Sequence, residues 1–245
     1  MNTSYDKIVR SVVKIEAGNS AGSGFHFFDK NVIVTNAHVI KGALENGGKI
    51  YAKIGSEKYE LICKKFKEDV INDFAILKTQ EAFPEDREVL TIADNFDYAI
   101  GTEVIYAGFP HGIDDLIVQK ATIAGYEQNN PNHFYLDASV NSGNSGGLIV
   151  KISDNSIIGI VTQRRFIRSR LDEIVKAVNY FRNLAIDQSE KVQIQIGGIN
   201  YNVGLANQLA EVTNIFRDVV LSNANTGLGI GQKIGNCLME CKGIY

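Results

Sequence analysis

The chain has 245 residues, 44% apolar and 22% charged, a balance that supports a folded core and excludes disordered, coiled-coil and collagen-like chains. At about 150 residues per domain, the length leaves a remainder beyond one domain. Lysine and arginine total 25 against 28 aspartate and glutamate, a formal charge of −3, so there is no global basic field for nucleic acid or an anionic membrane. Three cysteines, Cys63, Cys237 and Cys241, cannot all pair within one chain, which points to reduced thiols. With no signal-like start and no run of about 18 apolar residues, the expectation is a cytoplasmic protein with no membrane partner.

Between Ser11 and Gln163, short apolar runs are broken about every ten residues by Gly, Asn and Asp. Strands are predicted at 11–16, 31–35, 49–54, 74–78, 103–107, 116–124, 134–137, 147–152 and 157–162, a mainly β pattern that suits a sandwich or barrels. After Gln163 the period changes. Leu171, Ile174, Val175, Val178, Phe181 and Leu184 share one side of a helix over 170–186, with Ser169 as its cap and Asp172 in its first turn. Alternation at Val192, Ile194 and Ile196 and again at Ile199, Tyr201 and Val203, about Gly197-Gly198, predicts a hairpin. Leu209, Val212, Ile215, Phe216 and Val219 mark a second helix over 205–221. Residues 226–245, Gly-rich and then weakly helical, receive no assignment.

Three segments carry chemistry: Thr35-Asn36-Ala37-His38-Val39, Asn72-Asp73-Phe74-Ala75-Ile76-Leu77-Lys78 and Asn141-Ser142-Gly143-Asn144-Ser145-Gly146-Gly147. A serine hydroxyl becomes a nucleophile when an imidazole removes its proton, and the imidazole needs a carboxylate on its other nitrogen. His38, Asp73 and Ser145 supply these groups in that order. The loop of Gly143, Asn144 and Ser145 offers an oxyanion hole, with the N–H groups of Gly143 and Ser145 as donors. Taken singly, each has a bland reading: a turn serine, an edge aspartate, a core histidine. The last segment is not a P-loop, because a strand-like Leu148-Ile149-Val150 follows it in place of Lys-Ser/Thr.

Together the three segments resemble the signature blocks of chymotrypsin-fold serine proteases, nearest the bacterial HtrA/Deg-like and glutamyl-endopeptidase-like branch. Gly22-Ser23-Gly24-Phe25 and Gly108-Phe109-Pro110-His111-Gly112 resemble two supporting blocks. The resemblance implies two six-stranded antiparallel β-barrels over 1–165, with His38 as general base, Asp73 as its orienting acid and Ser145 as the acylated nucleophile. An α-rich extension, 166–245, then follows as a regulatory part that binds a protein partner or self-associates, and it does not look like the PDZ domain that HtrA-like members carry. Asn144 stands where digestive members have an acid, which argues against activation by a new N-terminus. By the same resemblance, Ser139, Val140, Asn141, Thr162, Gln163 and Arg164 form the substrate pocket. No carboxylate at Ser139 disfavours Arg or Lys at the cleavage site, and a guanidinium of Arg164 or Arg165 could pair with an acidic side chain, so the expected preference is small, uncharged or acidic.

The remaining features read as structure. Arg164, Arg165, Arg168 and Arg170 suit a solvated linker, and nucleic acid is not expected. Cys237 and Cys241, four residues apart, lack further ligands at metal spacing, so buried thiols and no cofactor are expected, with Cys63 in the core. His111 reads as a turn residue, and His26 and His133 as structure or surface. An active endopeptidase acting on polypeptides leads. The alternatives are a silent peptide-binding module and a protease effector governed by a partner on the extension.

Overall fold

The structure, a computed structural model, describes residues 4–111, 113–166, 176–184, 186–187, 195–196, 199–200, 208, 211–216 and 225–244. Helix α1 (Ser4–Ser11) leads into β1 (Val12–Ala17), β2 (Ser20–Phe27) and β3 (Asp29–Thr35). Helix α2 (Ala37–Glu45) follows, then β4 (Ile50–Ile54), β5 (Glu57–Glu68) and β6 (Asp73–Thr79). These six strands close into a barrel in the order β1-β2-β3-β6-β5-β4. After a linker come β7 (Glu103–Gly108), β8 (Ile117–Tyr126), β9 (His133–Asp137), β10 (Leu148–Lys151) and β11 (Ile157–Phe166). The helical segment α3 (176–184), the ladder of β12 (Gln195–Ile196) with β13 (Ile199–Asn200), and the helical segment α4 (211–216) precede β14 (Asn225–Lys233) and α5 (Gly235–Lys242). The second barrel closes as β10-β11-β14-β9-β8-β7.

Several strands are apolar on both faces because each face meets a different core. Side chains alternate across a strand. Ile33, Ala75 and Leu77 fill the first barrel, while their neighbours Val32, Val34, Phe74 and Ile76 enter a seam between the barrels. In the second barrel, Val104, Tyr106 and Ile149 point inward, and Ile105, Ala107, Leu148 and Val150 meet the same seam. Ile234, Cys237 and Cys241 complete the seam. Cys63 is only partly buried, at the edge of the first barrel's core.

The end of the chain differs from the expected single extension over 166–245. Gly227–Tyr245 packs with Met1–Arg164 as one unit, and Arg165–Thr226 forms another. β14 supplies the sixth strand of the second barrel, pairing antiparallel with β9 through Ile230↔Tyr135. Its other neighbour is β11, where the Ile234 N–H donates to the Ile158 carbonyl at 3.1 Å. The unit 165–226 is thus an insertion between two adjacent strands. Sequence periodicity missed β14 because Phe134 occupies the space beside it: a Cβ on Gly231 would lie 2.6 Å from that ring. Within the insertion, 176–184, 186–187, 208 and 211–216 are helical and 195–196 pairs with 199–200. The rest of both expected helices and of the hairpin lies outside the described residues.

The interbarrel linker is tied to the first barrel by a buried polar pair. The Arg87 guanidinium donates to His26 Nε2 at 3.0 Å and to the Val12 carbonyl at 2.5 Å, and His26 Nδ1–H donates to the Lys30 carbonyl at 2.6 Å. Burial, reinforced by the Arg87 charge, lowers the His26 pKa to about 4. The unfolded chain therefore takes up a proton near pH 6.5 that the folded chain refuses until about pH 4, so this group lowers stability as pH falls through that window. Urea denaturation is expected to show the wild type losing about 3 kcal/mol more than His26→Gln between pH 6.5 and pH 4. Equal losses in the two proteins would refute the role.

Candidate active site

The β3–β6 ladder, with Thr35 opposite Ala75, places the start of α2 beside the start of β6. His38 and Asp73 meet there. His38 Nδ1 lies 2.6 Å from Asp73 Oδ2, and the His38 backbone N–H donates to Oδ1 at 3.1 Å. A carboxylate only accepts, so Nδ1 carries the proton and Nε2 is left basic. Thr162 Oγ1 from β11 also donates to Oδ2, at 2.8 Å. Burial alone would raise the Asp73 carboxyl, but the bonds from His38 and Thr162 outweigh it and hold its pKa below the ordinary aspartate value. The His38 side chain is 39% exposed and that of Asp73 14%, so the imidazole is accessible and the acid is sheltered.

Ser145 comes from the second barrel, on the loop before β10. Its hydroxyl donates to the Thr162 carbonyl at 3.0 Å, and its own carbonyl accepts from the Ser23 N–H of β2 at 2.8 Å. The loop is tight enough to demand glycine: Gly143 has φ +89° and Gly146 φ +84°. A Cβ on Gly146 would fall 2.0 Å from the Ser23 carbonyl.

The loop's carbonyls decide where its N–H groups point. In a trans peptide, C=O and N–H face opposite ways. The Ser142 carbonyl accepts from the His111 N–H at 2.6 Å and the Asn144 carbonyl from the Gly147 N–H at 2.8 Å. The N–H groups of Gly143 and Ser145 therefore each face away from those bonds. Asn144 does not join them, because its N–H is turned onto the Asn141 carbonyl at 3.1 Å. Ser23 braces this arrangement from the other barrel: its buried hydroxyl accepts from the Phe109 N–H at 2.8 Å and donates to the Gly143 carbonyl at 2.7 Å.

The expected pocket residues separate. Ser139 and Asn141 are exposed. The Val140 side chain is 1% exposed and belongs to the second barrel's core. Thr162 is directed onto Asp73 and Ser145, at the centre of the constellation. Gln163 and Arg164 lie on β11 with their side chains outside the described residues, as does the arginine cluster. Sequence reasoning missed the positions of Ser23 and of Gln232, whose Oε1 accepts the Asp73 N–H at 2.9 Å, on this network. Ser23 lay within a quoted block, while Gln232, in a Gly-rich strand, gave no signal. Among the described residues no cluster of His, Cys, Asp and Glu is arranged to hold a metal.

Residues 22–160 match the family described as trypsin-like peptidase domain. The chain is 31% identical over 153 residues to a probable periplasmic serine endoprotease DegP-like of Halomonas elongata, covering 60% of this chain and 30% of that protein. To serine protease HTRA1A of Danio rerio it is 31% identical over 166 residues, covering 64% and 33%. The chain thus spans about a third of the length of these curated relatives. Among solved structures, the serine endoprotease from Yersinia pestis aligns with a TM-score of 0.56 at 28% identity, over 67% of this chain and 57% of that one. The active form of the Rv3671c protease from M. tuberculosis, at 24% identity and a TM-score of 0.54 over 67% and 74%, shares the fold.

Ser23→Ala removes one hydroxyl and leaves the Phe109 N–H and the Gly143 carbonyl without it. The expected cost is about 2–4 kcal/mol in urea denaturation, from two buried groups left unpaired. A loss below about 0.5 kcal/mol would show that the brace is dispensable.

Proposed function

The chain belongs to the trypsin-like peptidase domain family, which matches more than half of its length, and on that premise we propose that it is a serine endopeptidase acting through His38, Asp73 and Ser145. The observation that carries this reading is the constellation itself: a 2.6 Å His38–Asp73 pair in the first barrel is linked to Ser145 of the second through Thr162, whose hydroxyl donates to Asp73 and whose carbonyl accepts from the Ser145 hydroxyl. In the proposed reaction the Ser145 hydroxyl leaves the Thr162 carbonyl for His38 Nε2. Its oxygen then attacks the substrate carbonyl carbon while His38 takes the proton. Asp73 stabilises the imidazolium and fixes its tautomer. The N–H groups of Gly143 and Ser145 receive the developing oxyanion. His38 returns the proton to the leaving amine, an acyl-enzyme remains on Ser145, and water releases it by the reverse sequence.

Ser145→Ala is expected to abolish fluorophosphonate labelling and to lower kcat/KM on a peptide library at least about 10⁴-fold. A folded wild type that never labels would instead favour a peptide-binding module. The expected cleavage preference is a small, uncharged or acidic residue, following from the neutral Ser139, and a profile dominated by Lys or Arg would overturn it. The three unpaired thiols support a reducing, cytoplasmic setting, and recovery of the protein from the periplasm would refute that.

Control is proposed to reside in the insertion, where Tyr180, Phe181, Val212, Ile215 and Phe216 are exposed and suit a protein partner. Truncation near 168 would remove β14, so the informative change replaces 167–224 with a short turn joining β11 to β14. The expected product is folded and at least as active as the full chain. Loss of both properties would make the insertion part of the core.

A further inference from the structure

The loop that presents Asp73 is held by side-chain amides of the opposite barrel. Residues 69–72 join β5 to β6, yet Val70 is 87% exposed and Ile71 44%, so apolar burial does not anchor them. Asp69 Oδ1 closes the turn from within by accepting from the Ile71 and Asn72 N–H groups at 2.8 and 2.9 Å. Four consecutive positions, 70–73, are also bonded to carboxamides of the second barrel and the helix that follows it. Asn130 Nδ2 donates to the Val70 carbonyl at 3.0 Å, and Asn132 Nδ2 to the Ile71 carbonyl at 3.2 Å. Asn236 Nδ2 donates to Asn72 Oδ1 at 2.8 Å. Gln232 Oε1 accepts the Asp73 N–H at 2.9 Å. From the first barrel, Asn36 Nδ2 donates to the Asp73 carbonyl at 2.6 Å, so both backbone polar groups of Asp73 are gripped by amides. Gln232 is wholly buried and its Nε2 has no partner among the described residues. A methionine would fill similar space without that unsatisfied donor, so packing alone does not explain a polar residue there.

We propose that Asn130, Asn132, Gln232 and Asn236 form a carboxamide clamp that positions Asp73 against His38, with Gln232 as its principal positioning residue. The inference rests on the protease reading. Its physical basis is that hydrogen bonds are directional where apolar contacts are not, and a misplaced orienting acid stabilises the imidazolium less well. The clamp also joins the two barrels, so the acid supplied by one is registered against the barrel that supplies the serine.

The test uses the full chain with Gln232→Met, which keeps length and loses the acceptor, and Asn236→Ala, a milder change at a partly exposed helical position. The expected result for Gln232→Met is kcat lower by about 10 to 100-fold with KM within about twofold, and an acid limb of the kcat/KM profile displaced to lower pH. The low-field proton signal of His38 Nδ1–H should shift or broaden in both variants, while thermal melting shows them folded at the assay temperature. Wild-type kcat, pH profile and proton signal in both variants would overturn the proposal. So would a loss of activity that merely tracks the unfolded fraction. If Gln232→Met fails to fold, Asn236→Ala decides by the same measurements. If the wild type never labels on Ser145, the protease reading fails, and the His38 proton signal in the variants still decides whether the clamp positions Asp73.

Discussion

A carboxylate held in a fixed place, ionised and partly out of water, is the constraint around which the molecule is arranged. Asp73 receives His38 Nδ1–H, the His38 backbone N–H and the Thr162 hydroxyl, and these donors outweigh the burial that would otherwise neutralise it. None of the three comes from its own strand. The acid therefore exists in this state only when α2, β6 and β11 are all in register, and folding and the competence of the site depend on the same contacts.

The double-faced strands explain why that register is rigid. A barrel with one polar surface could slide on its neighbour. Here the outward faces of β3, β6, β7 and β10 are apolar and interlock in the seam through Val34, Phe74, Ile76, Ala107 and Leu148. Protein interiors pack at nearly crystalline density, so displacement of either barrel would open voids along the seam. The seam fixes the barrels coarsely through area, and the polar bridges across it fix them finely through direction. Ser23 reaches from the first barrel to the Gly143 loop, and the amides of the second reach back to residues 70–73.

Legibility in the sequence followed side-chain pattern. Runs such as Val32-Ile33-Val34 and Leu148-Ile149-Val150 were visible as strands because both faces are apolar, and the triad was visible because its chemistry needs rare residue types in recognisable surroundings. β5 was hidden by its lysines and glutamates, which suit a strand partly facing water, and β14 by glycines that admit close neighbours, while the glycine-rich β2 was visible only through the resemblance of Gly22-Ser23-Gly24-Phe25 to a family strand. Thr162 was placed in a pocket by resemblance to the family, whereas its hydroxyl is directed to the acid. Gln232 was invisible for a deeper reason. A lone glutamine in a glycine-rich strand has no periodicity, and its function exists only through a partner 159 residues away in the chain.

The position of the insertion gives that distant bond further meaning. β11 and β14 are neighbours in the second barrel, and the chain leaves one and returns to the other through the unit 165–226. The unit 165–226 is therefore joined to the second barrel by two strands rather than by a single linker. Each of these strands touches the orienting acid, β11 through Thr162 and β14 through Gln232. A change in twist or register within this pair would reach Asp73 from both strands, one at its carboxylate and the other at its backbone. A tail attached by a single linker would have no such lever. The insertion point thus ties the least legible part of the chain, by covalent geometry alone, to its most exacting hydrogen bonds.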